Sequence, residues 1–282
     1  MKGFFDMLTM IEVLKAILFG VVEGITEWLP ISSTGHMILL DEFVKLNVSK
    51  EFLDLFLVVI QLGAILAVVV IYWNKLIPLS TKHGLHISRR KCKMWVKIIV
   101  ASIPAGVVGI LWDDVFTKYF YNYQTVAIML ILVGVVFIII ERSNKNKIAK
   151  IDSIDDISYG QAFLIGVFQM IAAIFPGTSR SGSTIVGSLM LGISRTAAAE
   201  FTFFLAVPAM FGGSAIKILK YSGGFNSAEV ALLAIGMIVA FVLSIIAIKF
   251  LMSYIKKHDF KVFGWYRIIL GIAVIGYFLA TR

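Results

Sequence analysis

Two short polar segments of the sequence hold residue types that could bind and cleave a phosphate group. The first runs from Glu23 to His36 (EGITEWLPISSTGH) and the second from Pro176 to Thr184 (PGTSRSGST). Together they supply two carboxylates, an imidazole, a guanidinium and many hydroxyls beside glycines. Both lie in strongly apolar sequence, and ionisable side chains inside a membrane are costly and usually functional. The two segments therefore predict a site that holds and cleaves phosphate within a lipid bilayer.

The acidic residues of the first segment are candidate metal ligands. Glu23 and Glu27 are four positions apart, so on a helix their side chains share one face. Two like charges in apolar surroundings need a protonated carboxyl, a nearby cation such as Arg180, or a divalent ion between them. Mg²⁺ often uses one or two carboxylates together with substrate phosphates. We therefore predict a divalent cation, Mg²⁺ or Ca²⁺, at this pair; the alternative is a wet cavity or a pairing with Lys15.

The hydroxyl-rich stretches each precede a short apolar segment that we predict to be helical, over 37–46 and 185–191. Ser and Thr before a helix are ordinary N-caps. The N-terminus of a helix is also an anion site, and Arg180 would add a two-pronged clamp for phosphate oxygens. The predicted substrate-binding residues are Ser32, Thr34, Gly177, Thr178, Ser179, Ser181 and Thr184.

The nucleophile is not fixed by the sequence. Ser33 is the best-placed hydroxyl, although spacing alone does not separate it from Ser32, and water is a further candidate. His36 follows three positions after Ser33 and could be a general base, a proton donor to the leaving group or a nucleophile. The alternative for a single histidine is a hydrogen-bonded structural role. The predicted catalytic residues are Glu23, Glu27, Ser33, His36 and Arg180.

The composition is that of an integral membrane protein. Of the 282 residues 59% are hydrophobic and only 15% are charged, whereas a soluble domain of this size carries more charge. We predict one all-α membrane domain over 1–282. Six stretches are long and apolar enough to cross a bilayer: 52–73, 95–112, 124–141, 198–220, 229–250 and 263–281.

The net charge of +9 does not indicate a nucleic-acid partner. The basic residues concentrate in 75–97, 142–150 and 249–261, whereas the alternate connections near 113–123 and 222–226 carry little positive charge. Basic connections face the cytoplasm in membrane proteins. This pattern predicts a multi-pass membrane protein whose basic connections face the cytoplasm.

Two segments, 10–46 and 159–196, do not fit as single crossings. Each has an apolar stretch, a break rich in Pro, Gly, Ser and Thr, and a second short apolar stretch. Such lengths predict re-entrant helix pairs, whose irregular backbone is tolerated only inside protein or along a wet cavity.

A shift of 146 positions aligns the two polar segments and their flanks without a gap over some 35 residues. It predicts inverted repeats over about 10–141 and 159–281, with one composite site at their interface. The loop charges place the start and end of the first re-entrant pair outside and those of the second inside, so the two halves would be inverted relative to each other. The shift aligns Glu23 with Gln169, Pro30 with Pro176, Ser33 with Ser179 and Asp54 with Glu200.

The two motifs resemble those of the undecaprenyl pyrophosphate phosphatase family, the integral-membrane bacitracin-resistance type. That family has a Glu-rich helix leading into Pro-x-Ser-Ser-Thr-Gly-His, matched here from Glu23 to His36, and a Pro-Gly-x-Ser-Arg-Ser segment, matched from Pro176 to Ser181. The resemblance extends over the whole chain in length and in the order of spans.

The resemblance implies hydrolysis of undecaprenyl diphosphate to undecaprenyl phosphate and inorganic phosphate, which recycles the lipid carrier of cell-wall synthesis. It also implies Mg²⁺ or Ca²⁺ dependence and an outward-facing site. By position, Glu23 and Glu27 match the essential acidic pair of the family, and Ser33 and His36 match its proposed nucleophile or base. The diphosphate-binding pair of the family is matched by Ser179 and Arg180.

The alternative function is a flippase or transporter of a polyprenyl phosphate lipid, because inverted repeats also suit transport. Two carboxylates and a histidine beside an anion clamp favour hydrolysis, since anion transport gains little from two acids. The sequence leaves a homodimer, the lipid chain length and the choice of metal open.

Overall fold

The computed structural model describes residues 10–80, 86–145 and 147–281, and within these ranges the chain is almost entirely helical. The described residues also form two short antiparallel strands, β1 (Leu79–Ser80) and β2 (His86–Ile87), and a 3-10 turn at Ile154–Asp156. The helices are α1 (Met10–Thr26), α2 (Ser33–Phe43), α3 (Lys50–Ile71), α4 (Trp73–Leu76), α5 (Arg89–Phe120), α6 (Tyr123–Ser143), α7 (Tyr159–Ile174), α8 (Arg180–Met190), α9 (Arg195–Lys220), α10 (Ser227–Tyr254) and α11 (Lys261–Thr281).

Within the described ranges, six helices have the length and composition needed to cross a membrane. They are α3, α5, α6, α9, α10 and α11, and they coincide with the six stretches expected from the sequence. The predicted helical class and number of spans are thus confirmed, apart from the short β1–β2 ladder.

Helix α5 is longer than the predicted span over 95–112. Basic side chains of its first turns have partners: Arg90 Nε donates to Asp155 Oδ2 at 2.6 Å, and Lys91 Nζ donates to the Ile77 carbonyl at 2.8 Å. A cation that has a fixed partner can extend a helix past the apolar stretch that defines it in sequence.

Both polar segments contain a helix, a break and a second helix, but the second helices begin earlier than predicted. Helix α2 begins at Ser33 rather than 37, and α8 begins at Arg180 rather than 185. The reason is local capping: the Ser32 hydroxyl accepts from the Gly35 N–H at 3.3 Å and the Ser179 hydroxyl accepts from Gly182 at 3.1 Å.

Most of the close packing is between pairs of helices that are distant in sequence. Helix α1 packs on α10 as α7 packs on α5, and α6 packs along α11. Helices α6 and α11 cross at two glycines, where a β-carbon on Gly134 would lie 2.7 Å from the Gly264 carbonyl oxygen and one on Gly264 would lie 2.8 Å from that of Gly134. Small residues allow this close approach of membrane helices.

Candidate active site

The two breaks meet at the carboxylate of Glu27. This residue follows α1, and its N–H still donates to the Glu23 carbonyl at 3.0 Å, so both acids lie on consecutive turns. Arg180, the first residue of α8, donates from Nη2 to Glu27 Oε1 at 2.7 Å. The Ser33 hydroxyl donates to Glu27 Oε2 at 2.5 Å. One carboxylate therefore joins a hydroxyl from its own segment to a guanidinium from the other.

The guanidinium of Arg180 is held from several sides. Its Nη1 donates to the Thr202 carbonyl at 3.3 Å, and Nη2 lies 3.8 Å from the Met210 sulfur. The Trp28 ring lies under it at 6.0 Å, and Trp28 packs edge-on against Phe203. These contacts fix an arginine that has five N–H donors to share among its partners.

A cavity of about 230 Å³ opens beside this cluster. Side chains from two membrane-crossing helices, including Gln61 of α3 and Met210 of α9, complete its wall. The predicted site residues that line it are Glu27, Ser33, Thr34, Gly177, Ser179, Arg180 and Ser181.

The remaining predicted residues lie outside that lining. Glu23 is buried and its Oε1 has no hydrogen-bond partner. Thr178 is also buried with its hydroxyl unpaired. Thr184 lies inside the helix bundle, where its hydroxyl forms a hydrogen bond of 2.8 Å with the Thr202 hydroxyl. Lys15 donates to Glu12 Oε1 at 2.7 Å and to the Lys45 carbonyl, so its ion pair is with Glu12 rather than Glu23.

His36 is engaged at both ring nitrogens by partners other than Ser33. Its Nδ1 lies 2.7 Å from the Ser32 carbonyl oxygen, and its Nε2 lies 2.7 Å from the Tyr266 hydroxyl. The rings of His36 and Tyr266 are also parallel within 6°, with centroids 5.6 Å apart. The hydroxyl of Ser33 is therefore paired with a carboxylate and not with the imidazole.

Comparison with known proteins identifies the family. The model of the bacitracin resistance protein BacA family matches residues 16–273. This chain belongs to the BacA family.

Curated relatives of this BacA-family chain are similar over nearly their whole length. An undecaprenyl-diphosphatase of Desulfitobacterium hafniense is 63% identical over 273 residues, which cover 97% of this chain and 98% of the relative. The undecaprenyl-diphosphatase 1 of Clostridium acetobutylicum is 62% identical over 269 residues (95% and 98%), and an undecaprenyl-diphosphatase of Enterococcus faecalis is 58% identical over 270 residues (95% and 98%). The resemblance seen in the motifs is confirmed, and the six apolar helices among its described residues show a multi-pass membrane protein.

The BacA-family fold also places a residue at the site that sequence reasoning missed. Arg267 of α11 is fully buried and donates to the carbonyls of Pro30 at 3.2 Å, Gly177 at 2.8 Å and Thr178 at 2.8 Å. It thus links the backbone of one break to that of the other. The available signal was a single arginine inside the span predicted over 263–281, which is a functional hypothesis by default.

The two breaks of this BacA-family chain share one backbone feature. Ser32 and Ser179 are both helix N-caps with left-handed backbones, φ 73° and 69°. They are 147 positions apart, so Ser32 and not Ser33 corresponds to Ser179, and Ser33 corresponds to Arg180. Between the helices, the first break comprises residues 27–32 and the second comprises residues 175–179.

Proposed function

We propose that this chain hydrolyses undecaprenyl diphosphate to undecaprenyl phosphate and inorganic phosphate, and that it thereby recycles the lipid carrier and confers resistance to bacitracin. The names of its full-length relatives and of its family support this function. The observation that carries the chemistry is the contact of Glu27 with Ser33 at 2.5 Å and with Arg180 at 2.7 Å. A hydroxyl, a base and a cation within one small cavity suit phosphoryl transfer.

In the proposed first step Ser33 is the nucleophile and Glu27 the general base. Glu27 Oε2 accepts the Ser33 proton as Oγ forms a bond to the terminal phosphorus. The bond between that phosphorus and the bridging oxygen breaks, and undecaprenyl phosphate leaves with the bonding electrons. The terminal phosphoryl group is then held on Ser33.

The charge that develops on the phosphoryl oxygens would be stabilised from the second segment. Arg180 lines the cavity together with Ser179 and Ser181 at the N-terminus of α8, where the helix dipole favours an anion. Donors that are fixed before the reaction need no reorganisation during it, which is the main source of electrostatic catalysis.

In the second step water attacks the phosphorus of the phosphoserine. Glu27 transfers the proton that it took in the first step to Ser33 Oγ and takes one from water as inorganic phosphate is released. It then loses this proton to the solvent, which restores the carboxylate for the next turnover. The sum of both steps is one water consumed per diphosphate cleaved. The hydroxyls of Thr34 and Ser181, which line the cavity, would hold the phosphate oxygens during both steps.

Glu23 and Glu27 would hold a divalent cation, Mg²⁺ or Ca²⁺. The unpaired, buried Oε1 of Glu23 fits this proposal, because such an oxygen is costly without a ligand. Among the described residues, no group of three or more His, Cys, Asp or Glu could hold a metal by itself, so substrate phosphates would complete the shell. A bound cation would neutralise phosphate charge and increase the electrophilicity of the phosphorus.

We further propose that the two broken segments are re-entrant pairs within inverted repeats. The matched packing of α1 on α10 and α7 on α5, and the reciprocal contact of Gly134 and Gly264, support a two-fold relation between the halves. The left-handed caps at Ser32 and Ser179 support it at the breaks themselves.

The cavity is proposed to face the outer side of the bacterial cell membrane. Glu141 at the end of α6 accepts from Arg195 at the start of α9 at 2.9 Å and from the Phe260 N–H at 3.0 Å. These helix ends thus lie together, on the side with the basic connections that we assign to the cytoplasm. The cavity residues Gly213 and Ser214 lie nearer to the other end of α9.

Phosphate release from undecaprenyl diphosphate by detergent-purified protein tests the function, with Mg²⁺, Ca²⁺ or EDTA. Release that needs the metal and is lost in Glu27→Ala and Arg180→Ala would support hydrolysis. Folded protein that binds the lipid without releasing phosphate, and that moves it across reconstituted vesicles, would support transport instead.

A further inference from the structure

The hydrogen bonds of His36 assign its tautomer. A carbonyl oxygen only accepts, so Nδ1, 2.7 Å from the Ser32 oxygen, carries the proton. In a neutral imidazole Nε2 then has only a lone pair, and Tyr266 at 2.7 Å must donate its hydroxyl hydrogen to it. The Nε2 lone pair, which an attacking or proton-accepting imidazole would use, is thus occupied by a phenol.

The bond from Nδ1 restrains the backbone next to Ser33. Ser32 has φ 73°, a left-handed conformation that is uncommon for a residue with a β-carbon. Its carbonyl accepts from the His36 backbone N–H at 3.3 Å as well as from the ring. Rotation of this peptide would displace Ser33, whose hydroxyl lies 2.5 Å from Glu27.

The second break provides an internal comparison. Ser179 has the same left-handed backbone, and its carbonyl accepts from the Ser183 N–H at 2.9 Å. Ser183 occupies the place of His36, but its hydroxyl bonds the Phe168 carbonyl of α7 instead. The imidazole brace is therefore found in the break that carries the Ser33 hydroxyl.

We propose that Tyr266 is a positioning residue for the reaction. Its hydroxyl fixes the Nδ1–H tautomer of His36, and the imidazole braces the Ser32–Ser33 peptide so that the Ser33 hydroxyl stays on Glu27. His36 then acts as neither nucleophile nor base. The kinetic part of this inference rests on the proposed function, whereas the tautomer does not depend on any activity.

The direct test is ¹⁵N NMR of histidine-labelled protein in detergent. The chain has four histidines, and His36→Ala assigns the signal by difference. We expect a protonated Nδ1 and a hydrogen-bonded, unprotonated Nε2 in the wild type. Tyr266→Phe, which keeps the ring stacking, should shift the Nε2 signal of His36. An Nε2–H tautomer in the wild type, or an unchanged His36 signal in Tyr266→Phe, overturns the proposal.

The matched control is Tyr254→Phe. Tyr254 also stacks on a histidine, His258, with centroids 4.5 Å apart, and it does not line the cavity. Tyr254→Phe should leave the His36 signal and phosphate release unchanged. Tyr266→Phe should lower kcat roughly tenfold to a hundredfold with little change in KM. The reason is that a misplaced Ser33 hydroxyl slows the chemical step without weakening the binding of the lipid.

Two substitutions of His36 distinguish a positioning role of its side chain from a catalytic role. The carboxamide nitrogen of asparagine takes nearly the place of Nδ1 and can donate to Ser32, whereas that of glutamine takes nearly the place of Nε2. His36→Asn should retain at least tenfold more activity than His36→Gln and His36→Ala. An equal loss of activity in all three variants would overturn the proposal that His36 braces the Ser32–Ser33 peptide. An inactive wild type with the expected tautomer would refute the proposed function and leave the tautomer assignment intact.

Discussion

Glu27 and Arg180 form an ion pair across 153 positions of the sequence, with Nη2 2.7 Å from Oε1. Both side chains are largely buried, at 9% and 16% exposure. Breaking such a pair on one side leaves an uncompensated charge, so each partner is expected to matter for folding as well as for chemistry. This pair joins the two polar segments.

Replacement of the proposed base should nearly abolish hydrolysis. Glu27→Gln keeps the size of the side chain but removes the proton acceptor of Ser33, and we expect kcat to fall by about 10²–10⁴. Initial rates of phosphate release measure this. Glu51→Gln, at an exposed position of α3, is the matched control and should retain wild-type rates. A Glu27→Gln protein with more than a tenth of the wild-type kcat would exclude Glu27 as the base.

Arg180 should not be replaceable by lysine. An ammonium keeps the charge but loses the fork that reaches Glu27, the Thr202 carbonyl and the phosphate together. We expect Arg180→Lys to lower kcat/KM by about 10² or more, and Arg142→Lys, at an exposed position, to have no effect. Phosphate release over a range of lipid concentrations gives both constants. Near-normal kcat/KM in Arg180→Lys would mean that only its charge is needed.

Arg267 should be required for the joining of the two breaks. Arg267→Met would leave the carbonyls of Pro30, Gly177 and Thr178 without their donor, and each buried unpaired group costs about 1–3 kcal/mol. We expect a lower unfolding temperature in detergent and loss of activity. The unfolding temperature is measured from the change in fluorescence on heating. Unchanged stability and activity would show that these bonds do not hold the breaks together.

Removal of divalent metal should stop hydrolysis reversibly. We expect EDTA to abolish phosphate release and added Mg²⁺ or Ca²⁺ to restore it. Glu23→Gln should raise the metal concentration needed for half-maximal rate, whereas Ser33→Ala should lose activity but still show the metal-dependent thermal shift. A Glu23→Gln protein with an unchanged metal requirement would remove Glu23 from the set of ligands.

The crossing of α6 and α11 should tolerate no added side chain. In Gly134→Ala the new β-carbon would lie 2.7 Å from the Gly264 carbonyl oxygen, so the helices must separate, at a cost of about 1–3 kcal/mol. The control is Gly106→Ala, where no atom lies within 4 Å of the new β-carbon. Unfolding temperatures of the two variants should differ clearly. Equal values would mean that the crossing relaxes without penalty.

The membrane-crossing helices could be predicted from the sequence because their apolar stretches are long and continuous. The helices after the two breaks were harder to place. Ser32 and Ser179 read as loop residues in sequence, yet their hydroxyls cap α2 and α8 from left-handed backbones, so the helices begin four or five residues earlier. A cap of this kind depends on backbone geometry that composition does not report.

The composition of the site could also be predicted, but its hydrogen bonds could not. Proximity in sequence suggested that His36 serves Ser33, whereas the break turns Ser33 toward Glu27 and His36 toward Tyr266. Tyr266 and Arg267 come from the last helix, which carries neither motif. Their part in the site depends on the packing of α11 on α6, a long-range contact that one sequence does not reveal.

The stereochemical course at phosphorus is the most direct test of Ser33 as the nucleophile. The substrate would be undecaprenyl diphosphate with a chiral, isotopically labelled terminal thiophosphoryl group, hydrolysed in isotopically labelled water. Attack by Ser33 followed by attack by water gives two in-line displacements, so we expect retention of configuration in the released thiophosphate. Inversion would show that water attacks the diphosphate directly, and Ser33 would then be a binding group rather than the nucleophile.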